Sequence, residues 1–165
     1  MFTGSRDDAG TFVIRYPRGN GELHNWQQPL QTLPPGKGRK LREGDDIAIL
    51  SIGAIGNEVR KAIDMIKDNS LSVAHYDMIY LKPIDEEILH EVGQRFKKII
   101  TVENGIRSGG LGSVVAEFMT ENDYTPKIKR IGVPDKFIEH GTIKELFKIC
   151  GMDAESIFEE IIVNG

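Results

Sequence analysis

Arg15 and Arg18 stand three residues apart in the run Arg15-Tyr16-Pro17-Arg18-Gly19-Asn20, where Pro17 breaks a strand and Gly19 opens the backbone. A guanidinium is a planar fork of donors that fits a phosphate, and a glycine lets the main chain approach the same ligand. The pair reads either as a phosphate clamp or as part of a structural salt bridge; spacing alone does not choose. A second candidate is the glycine-rich turn at residues 105–113, Gly-Ile-Arg-Ser-Gly-Gly-Leu-Gly-Ser. A helix that starts there would offer free backbone donors to an anion beside Arg107. Gly110-x-Gly112 lacks the third glycine of a dinucleotide fingerprint, however, and tight strand-to-helix packing is the favoured reading of Gly109, Gly110 and Gly112. Glu139 and His140 could form an acid-base pair, although charged residues ahead of a helix are more often caps and loop anchors. His24, His75, His90 and His140 show no metal-ligand spacing among themselves or with Cys150. Cys150, beside Leu146, Phe147 and Ile149, reads as a small buried hydrophobe rather than a nucleophile.

The elements that would position these groups follow from spacing. Strand-like runs at 46–52, 71–77, 98–103 and 127–131 alternate with helical stripes. Val59, Ala62, Ile63 and Ile66 form the first stripe, Ile88, Leu89, Val92 and Phe96 the second, and Val114, Val115, Phe118 and Met119 the third. Such alternation predicts a parallel sheet covered by helices. Residues 37–42, just before Gly44-Asp45, predict an edge strand running against the others. Two helices close the chain at 142–150 and 153–163, the first capped by Thr142 with Glu145 three residues on and followed by Gly151. Nearer the start, residues 11–15 carry three consecutive apolar residues and predict a strand buried on both faces. Residues 19–38 are rich in Gly, Pro, Asn and Gln and read as a linker.

Composition narrows the function classes. At 165 residues the chain suggests one main domain. With 21 basic and 25 acidic residues the net charge is −4, and no stretch concentrates Lys and Arg, so nucleic acid is not an expected partner. The most apolar window, residues 47–55, falls well short of the ~20 residues a spanning helix needs, so no membrane contact is expected. The first ten residues are polar and include Asp7 and Asp8, unlike a secretory signal. A single cysteine forms no internal disulfide, which fits a reducing cytosol.

Several runs, in this order, carry a family resemblance: Arg15-Tyr-Pro-Arg-Gly-Asn20, Leu33-Pro-Pro-Gly-Lys-Gly38, Lys82-Pro-Ile-Asp85, Thr101-Val-Glu-Asn104, Ser108-Gly-Gly-Leu-Gly-Ser113, Ile131-Gly-Val-Pro-Asp135 and Glu139-His-Gly141. Together they resemble the end of the 1-deoxy-D-xylulose-5-phosphate synthase family, over essentially the whole chain. Transketolases and the beta subunits of 2-oxoacid dehydrogenases share this last domain and are the nearest alternatives by pattern. A free-standing small-anion binding module is the alternative of another class.

The resemblance implies an α/β fold, a three-layer α/β/α sandwich with a mixed, mostly parallel five-stranded sheet whose first strand is antiparallel. It implies three segments: residues 1–20, a terminal strand and the Arg-Tyr-Pro-Arg-Gly motif left from a preceding pyrimidine-binding domain; residues 21–35, a linker; and residues 36–165, a transketolase-type C-terminal domain. It further implies a C-terminal fragment of a cytoplasmic, thiamine-diphosphate- and magnesium-dependent transferase that condenses pyruvate with glyceraldehyde 3-phosphate. The expected partners are the preceding domains and, in the full-length enzyme, a second copy. The fragment itself is expected to bind no cofactor and to be inactive, since Gly44-Asp45-Asp46 lacks the second glycine of the family's magnesium motif. By the same resemblance Arg18 binds the acceptor's phosphate and Arg15 orients the loop.

Overall fold

The computed structural model describes residues 1–6, 10–17, 27, 29–67 and 71–164. The chain divides into two compact units, Met1–Pro35 and Gly36–Gly165.

Among the described residues of the first unit the only regular element is a 3-10 turn, Thr3–Ser5, whose Thr3 hydroxyl accepts a hydrogen bond from the Leu33 N–H at 2.9 Å. The strand expected at residues 11–15 does not form: the segment is irregular and Val13 is 90% exposed. Three apolar residues in a row make a buried strand only when another strand takes their backbone donors and acceptors, and the five-stranded sheet does not include them.

The second unit is built on five strands, β1 (Arg39–Arg42), β2 (Ile47–Ile52), β3 (Val73–Asp77), β4 (Lys98–Ile106) and β5 (Lys127–Val133). Its helices are α1 (Gly56–Asp64), α2 (Glu86–Arg95), α3 (Leu111–Glu121), α4 (Ile143–Ile149) and α5 (Ala154–Asn164). The strand order is β1-β3-β2-β4-β5; β1 runs antiparallel to β3 and all other neighbours are parallel. This is the predicted mixed α/β sheet, antiparallel edge strand included.

The pleat sorts the strand side chains into two cores. Ile47 and Ile49 of β2, with Val73, Ile100, Val102 and Ile131, meet α1 and α5 through Val59, Ala62, Ile63, Ile157 and Ile161. Ala48 and Leu50, with Ala74, Tyr76, Met78 and Ile99, face α2 and α3 through Leu89, Val92, Leu111, Val115 and Met119. Because β2 contributes to both, its first four residues are fully buried, and it reads as an unbroken apolar run. Three layers result. The β2-to-β3 connection leads one way across the sheet and the later ones lead the other way, so right-handed crossovers put α1 on one face and α2 and α3 on the opposite one.

Polar side chains close the seams between these layers. Asp85 caps α2 by accepting from the Ile88 N–H and ties the start of β1 by accepting from the Gly38 N–H at 2.8 Å. Thr142 and Glu145 form the predicted capping box at α4. The Glu91 carboxylate of α2 accepts from Lys40 of β1, the Tyr76 hydroxyl of β3 and Arg95. Burial works against its charge, but those three donors prevail and hold its pKa below the ordinary value. Burial and the same carboxylate push the Tyr76 phenol up to about 12. Among the described residues no helix is long and apolar enough to cross a membrane.

Candidate functional site

In an open parallel sheet, ligands collect at the carboxyl ends of the strands, where neighbouring connections leave for opposite faces. Here that point lies between β2, whose loop leads to α1, and β4, whose loop leads to α3. The glycine-rich turn singled out in the sequence occupies it.

The geometry shows what its glycines are for. Glu103, near the end of β4 and only 4% exposed, points its carboxylate at the start of α3. One oxygen accepts from the Leu111 N–H at 2.9 Å and the other from the Gly112 N–H at 3.0 Å. These are the first donors of the helix, which have no partner within it, and a carboxylate there also meets the positive end of the helix dipole. A Cβ on Gly110 would stand 1.9 Å from Glu103 Oε2, and one on Gly112 would stand 2.6 Å from Thr101 Oγ1. Both positions are glycine because backbone and side chain meet there with no room for another atom. Ser113 completes the turn: its hydroxyl accepts from the Gly109 N–H at 2.9 Å and donates to the Arg107 carbonyl, with Arg130 Nη1 3.2 Å away.

At Gly110 and Gly112 the favoured reading, tight strand-to-helix packing, therefore holds over an anion cradle, while Gly109 takes a positive φ of 78° with open space around it. The first two donors of α3 are engaged by the chain's own carboxylate, and tight strand-to-helix packing prevails. The start of α1 is likewise satisfied from within, since Gly56, Asn57 and Glu58 donate to the Gly53, Ala54 and Ile55 carbonyls. Glu103 was passed over in the sequence because its partners lie across a turn. A glutamate near a strand end followed by Gly-x-Gly seven residues on is the signal that would have found it.

On the α1 side of the sheet, the Ser51 hydroxyl and His75 Nε2 lie 2.8 Å apart. The pair has the make-up of a nucleophile and its base, yet Ser51 is fully buried and His75 is 2% exposed, so no substrate reaches them. Burial pushes the imidazolium down to about 4, against the opposing pull of the Asp77 carboxylate, and leaves a neutral ring that bridges β2 and β3.

The other candidates are dispersed. Arg15 is exposed in the first unit, while Arg18 and His24 lie outside the described residues. His90 Nδ1 meets the Tyr124 hydroxyl at 3.0 Å, beside the Phe118 ring. Glu139 and His140 are exposed in the loop before α4, and Cys150 packs half-buried against the core on the α1 and α5 side. Asp45 pairs with Arg95 at 3.2 Å, and Asp46 accepts from the Ser72 N–H at 2.7 Å. Among the described residues no three His, Cys, Asp or Glu side chains converge to hold a metal.

Comparison with known proteins agrees with this architecture. A family model described as transketolase, C-terminal domain, matches residues 36–157. The 1-deoxy-D-xylulose-5-phosphate synthase of Parabacteroides distasonis is 65% identical over 161 residues, which cover 98% of this chain and 26% of that protein. The synthase of Bacteroides thetaiotaomicron is 54% identical, again over 98% of this chain and 25% of its own length. The chain thus spans about a quarter of the length of the curated relatives it matches. Among solved structures, a split-gene transketolase described as an inactive beta4 tetramer superposes with a TM-score of 0.74 at 31% identity, over 81% of this chain and 44% of that one. A transketolase from Campylobacter jejuni, at 16% identity and a TM-score of 0.55 over 78% of this chain and 18% of its own, shares the fold. With the sheet order, the two-sided core and the sequence match all in agreement, the chain belongs to the transketolase C-terminal domain family.

Proposed function

We propose that the chain is the C-terminal part of a 1-deoxy-D-xylulose-5-phosphate synthase. In the full-length enzyme this activity condenses pyruvate with glyceraldehyde 3-phosphate, releases carbon dioxide, and feeds isoprenoid, thiamine and pyridoxal biosynthesis in the cytoplasm. The observation that carries the reading is the 65% identity to one such synthase along 98% of the chain. On this reading residues 1–20 continue a preceding pyrimidine-binding domain, residues 21–35 link it onward, and residues 36–165 supply packing and contacts within a homodimer.

Thiamine diphosphate and magnesium belong, on this reading, to parts of the polypeptide outside this chain, because Gly44-Asp45-Asp46 lacks the second glycine of the family's magnesium motif. Calorimetry of the 165-residue chain with thiamine diphosphate and magnesium should give no saturable heat, and the chain alone should not turn over pyruvate and glyceraldehyde 3-phosphate. Saturable cofactor binding would refute the fragment reading.

Arg18 is assigned to the acceptor's phosphate and Arg15 to orienting its loop. In the full-length enzyme, Arg18→Ala should lower kcat/KM for the phosphorylated acceptor about 10- to 150-fold, the loss of one charge-assisted hydrogen bond, with pyruvate decarboxylation nearly intact. If Arg15→Ala produced that loss and Arg18→Ala did not, the two roles would be exchanged.

A further inference from the structure

β4 carries an irregularity beside the Glu103 turn. Val102 faces Ile131 of β5 and Ile106 faces Val133, so Glu103, Asn104 and Gly105 on one strand stand against Gly132 alone on the other. The ladder with β2 ends at Glu103. Asn104 and Gly105 therefore bulge out of register on both sides, and both are half-buried, within reach of water. Backbone pairing aside, no described residue holds the Asn104 side chain. Asparagine before glycine is the pair in which a backbone nitrogen most easily attacks a side-chain amide, because glycine has no Cβ to obstruct the ring that forms. The sequence has such pairs at Asn20, Asn104 and Asn164, of which Asn20 lies outside the described residues. Asn164 is 8% exposed at the end of α5 and donates its amide to the Glu160 carbonyl at 2.7 Å. A helical backbone and a bonded amide both oppose ring closure there. Asn57 and Asn122 precede Glu58 and Asp123, whose Cβ atoms stand in the way.

We propose that Asn104 is a self-modification site of the folded protein, losing ammonia through a succinimide formed with Gly105. The Gly105 nitrogen attacks Asn104 Cγ, the Cγ–Nδ2 bond breaks, and the amide leaves as ammonia with the proton that Gly105 gives up. Water then opens the five-membered ring at either carbonyl, giving aspartate or isoaspartate; nothing is oxidised or reduced. Both products set a new carboxylate beside that of Glu103. Isoaspartate also routes the main chain through the former side chain, adding a carbon to the backbone between Glu103 and Gly105. The turn has no slack to absorb it. A Cβ on Gly132 would stand 3.0 Å from both Glu103 Cγ and the Gly105 carbonyl oxygen, and Gly110 is closed on the Glu103 carboxylate from the other side. The added length therefore draws Glu103 away from the Leu111 and Gly112 N–H groups, and the start of α3 loosens.

The test ages the 165-residue chain at pH 8.5 and 37 °C, folded and in urea, and follows its tryptic peptides by mass spectrometry. Asn104 is the only asparagine or glutamine between Lys98 and Arg107, so one peptide reports it alone. In the folded chain Asn104 should convert at least about tenfold faster than Asn57, Asn122 and Asn164. Chains carrying isoaspartate at this position should melt about 3 °C or more below fresh ones. Asn104→Gln, whose longer side chain closes a ring far more slowly, should age without that fall. An Asn104 that converts in urea but stays intact in the folded chain would overturn the proposal, since the bulge would then protect it as a regular strand does. Conversion with an unmoved melting temperature would overturn the link to the start of α3. An equal fall in aged Asn104→Gln would overturn that link as well, by assigning the loss to another residue.

Discussion

Glu103→Ala should lower the unfolding free energy by about 3–6 kcal/mol, and Glu103→Gln should recover little of it. The carboxylate accepts two backbone hydrogen bonds in a buried setting, each charge-assisted and worth about 1.5–3 kcal/mol. Domains of this size are stable by only about 5–15 kcal/mol in total, so the alanine variant stands near the edge of unfolding. Glutamine has the right shape but the wrong chemistry. One end of its amide is a donor, and it would face the N–H of Leu111 or Gly112, donor against donor. Urea unfolding of the three proteins, followed by circular dichroism, decides the matter. A glutamine variant within about 1 kcal/mol of the parent would mean that shape, not the pair of hydrogen bonds, holds the turn.

A drop in pH from 7.5 to 4.5 should cost the protein about 3 kcal/mol of stability through His75 alone. Its folded pKa is about 4 and its ordinary value 6.5. Below 6.5 the unfolded chain takes up a proton that the folded chain refuses, so unfolding is increasingly favoured until the folded pKa is reached. Above 6.5 both states are neutral there and the contribution is fully present. The ring is buried, so solvent screening does not dilute the effect. His75→Gln keeps a hydrogen-bonding atom near the Ser51 hydroxyl without the titration. Denaturation at pH 7.5, 6.0 and 5.0 should show the parent losing stability faster than the variant; parallel profiles would remove His75 as the cause.

Much of the architecture was legible because its signals are local. A helical stripe such as Val59, Ala62 and Ile63 shows its buried face within one turn or two, and Thr142 with Glu145 shows a helix start within four residues. The antiparallel edge strand and the parallel alternation were readable for the same reason. What was not legible depends on partners brought from elsewhere in the chain. Residues 11–15 looked like a strand because their composition is strand-like, but composition cannot supply the neighbour that a strand requires. Glu103 looked like one more polar residue near a strand end until the turn folded back over it. Ser51 and His75 meet only because β2 and β3 align in parallel, and β4 runs on to Ile106, beyond its expected end at residue 103, because Val133 is there to pair with Ile106. Of the two arginines, Arg15 is exposed and Arg18 lies outside the described residues.

The strand order has a consequence for how residues 36–165 reach this structure from an unfolded chain. No two neighbouring strands of the sheet are joined by a hairpin: Arg39 meets Asp77, Ile47 meets Val73, and Ala48 meets Ile99, each across at least one intervening helix. Loop-closure entropy is spent before any ladder returns enthalpy, which makes such topologies slow to nucleate. The central strand, moreover, is flanked on one side by β3 and on the other by the later β4. A chain growing from the ribosome therefore holds an open, apolar β2 until β4 has been made, and this unit has no half that can fold ahead of the other.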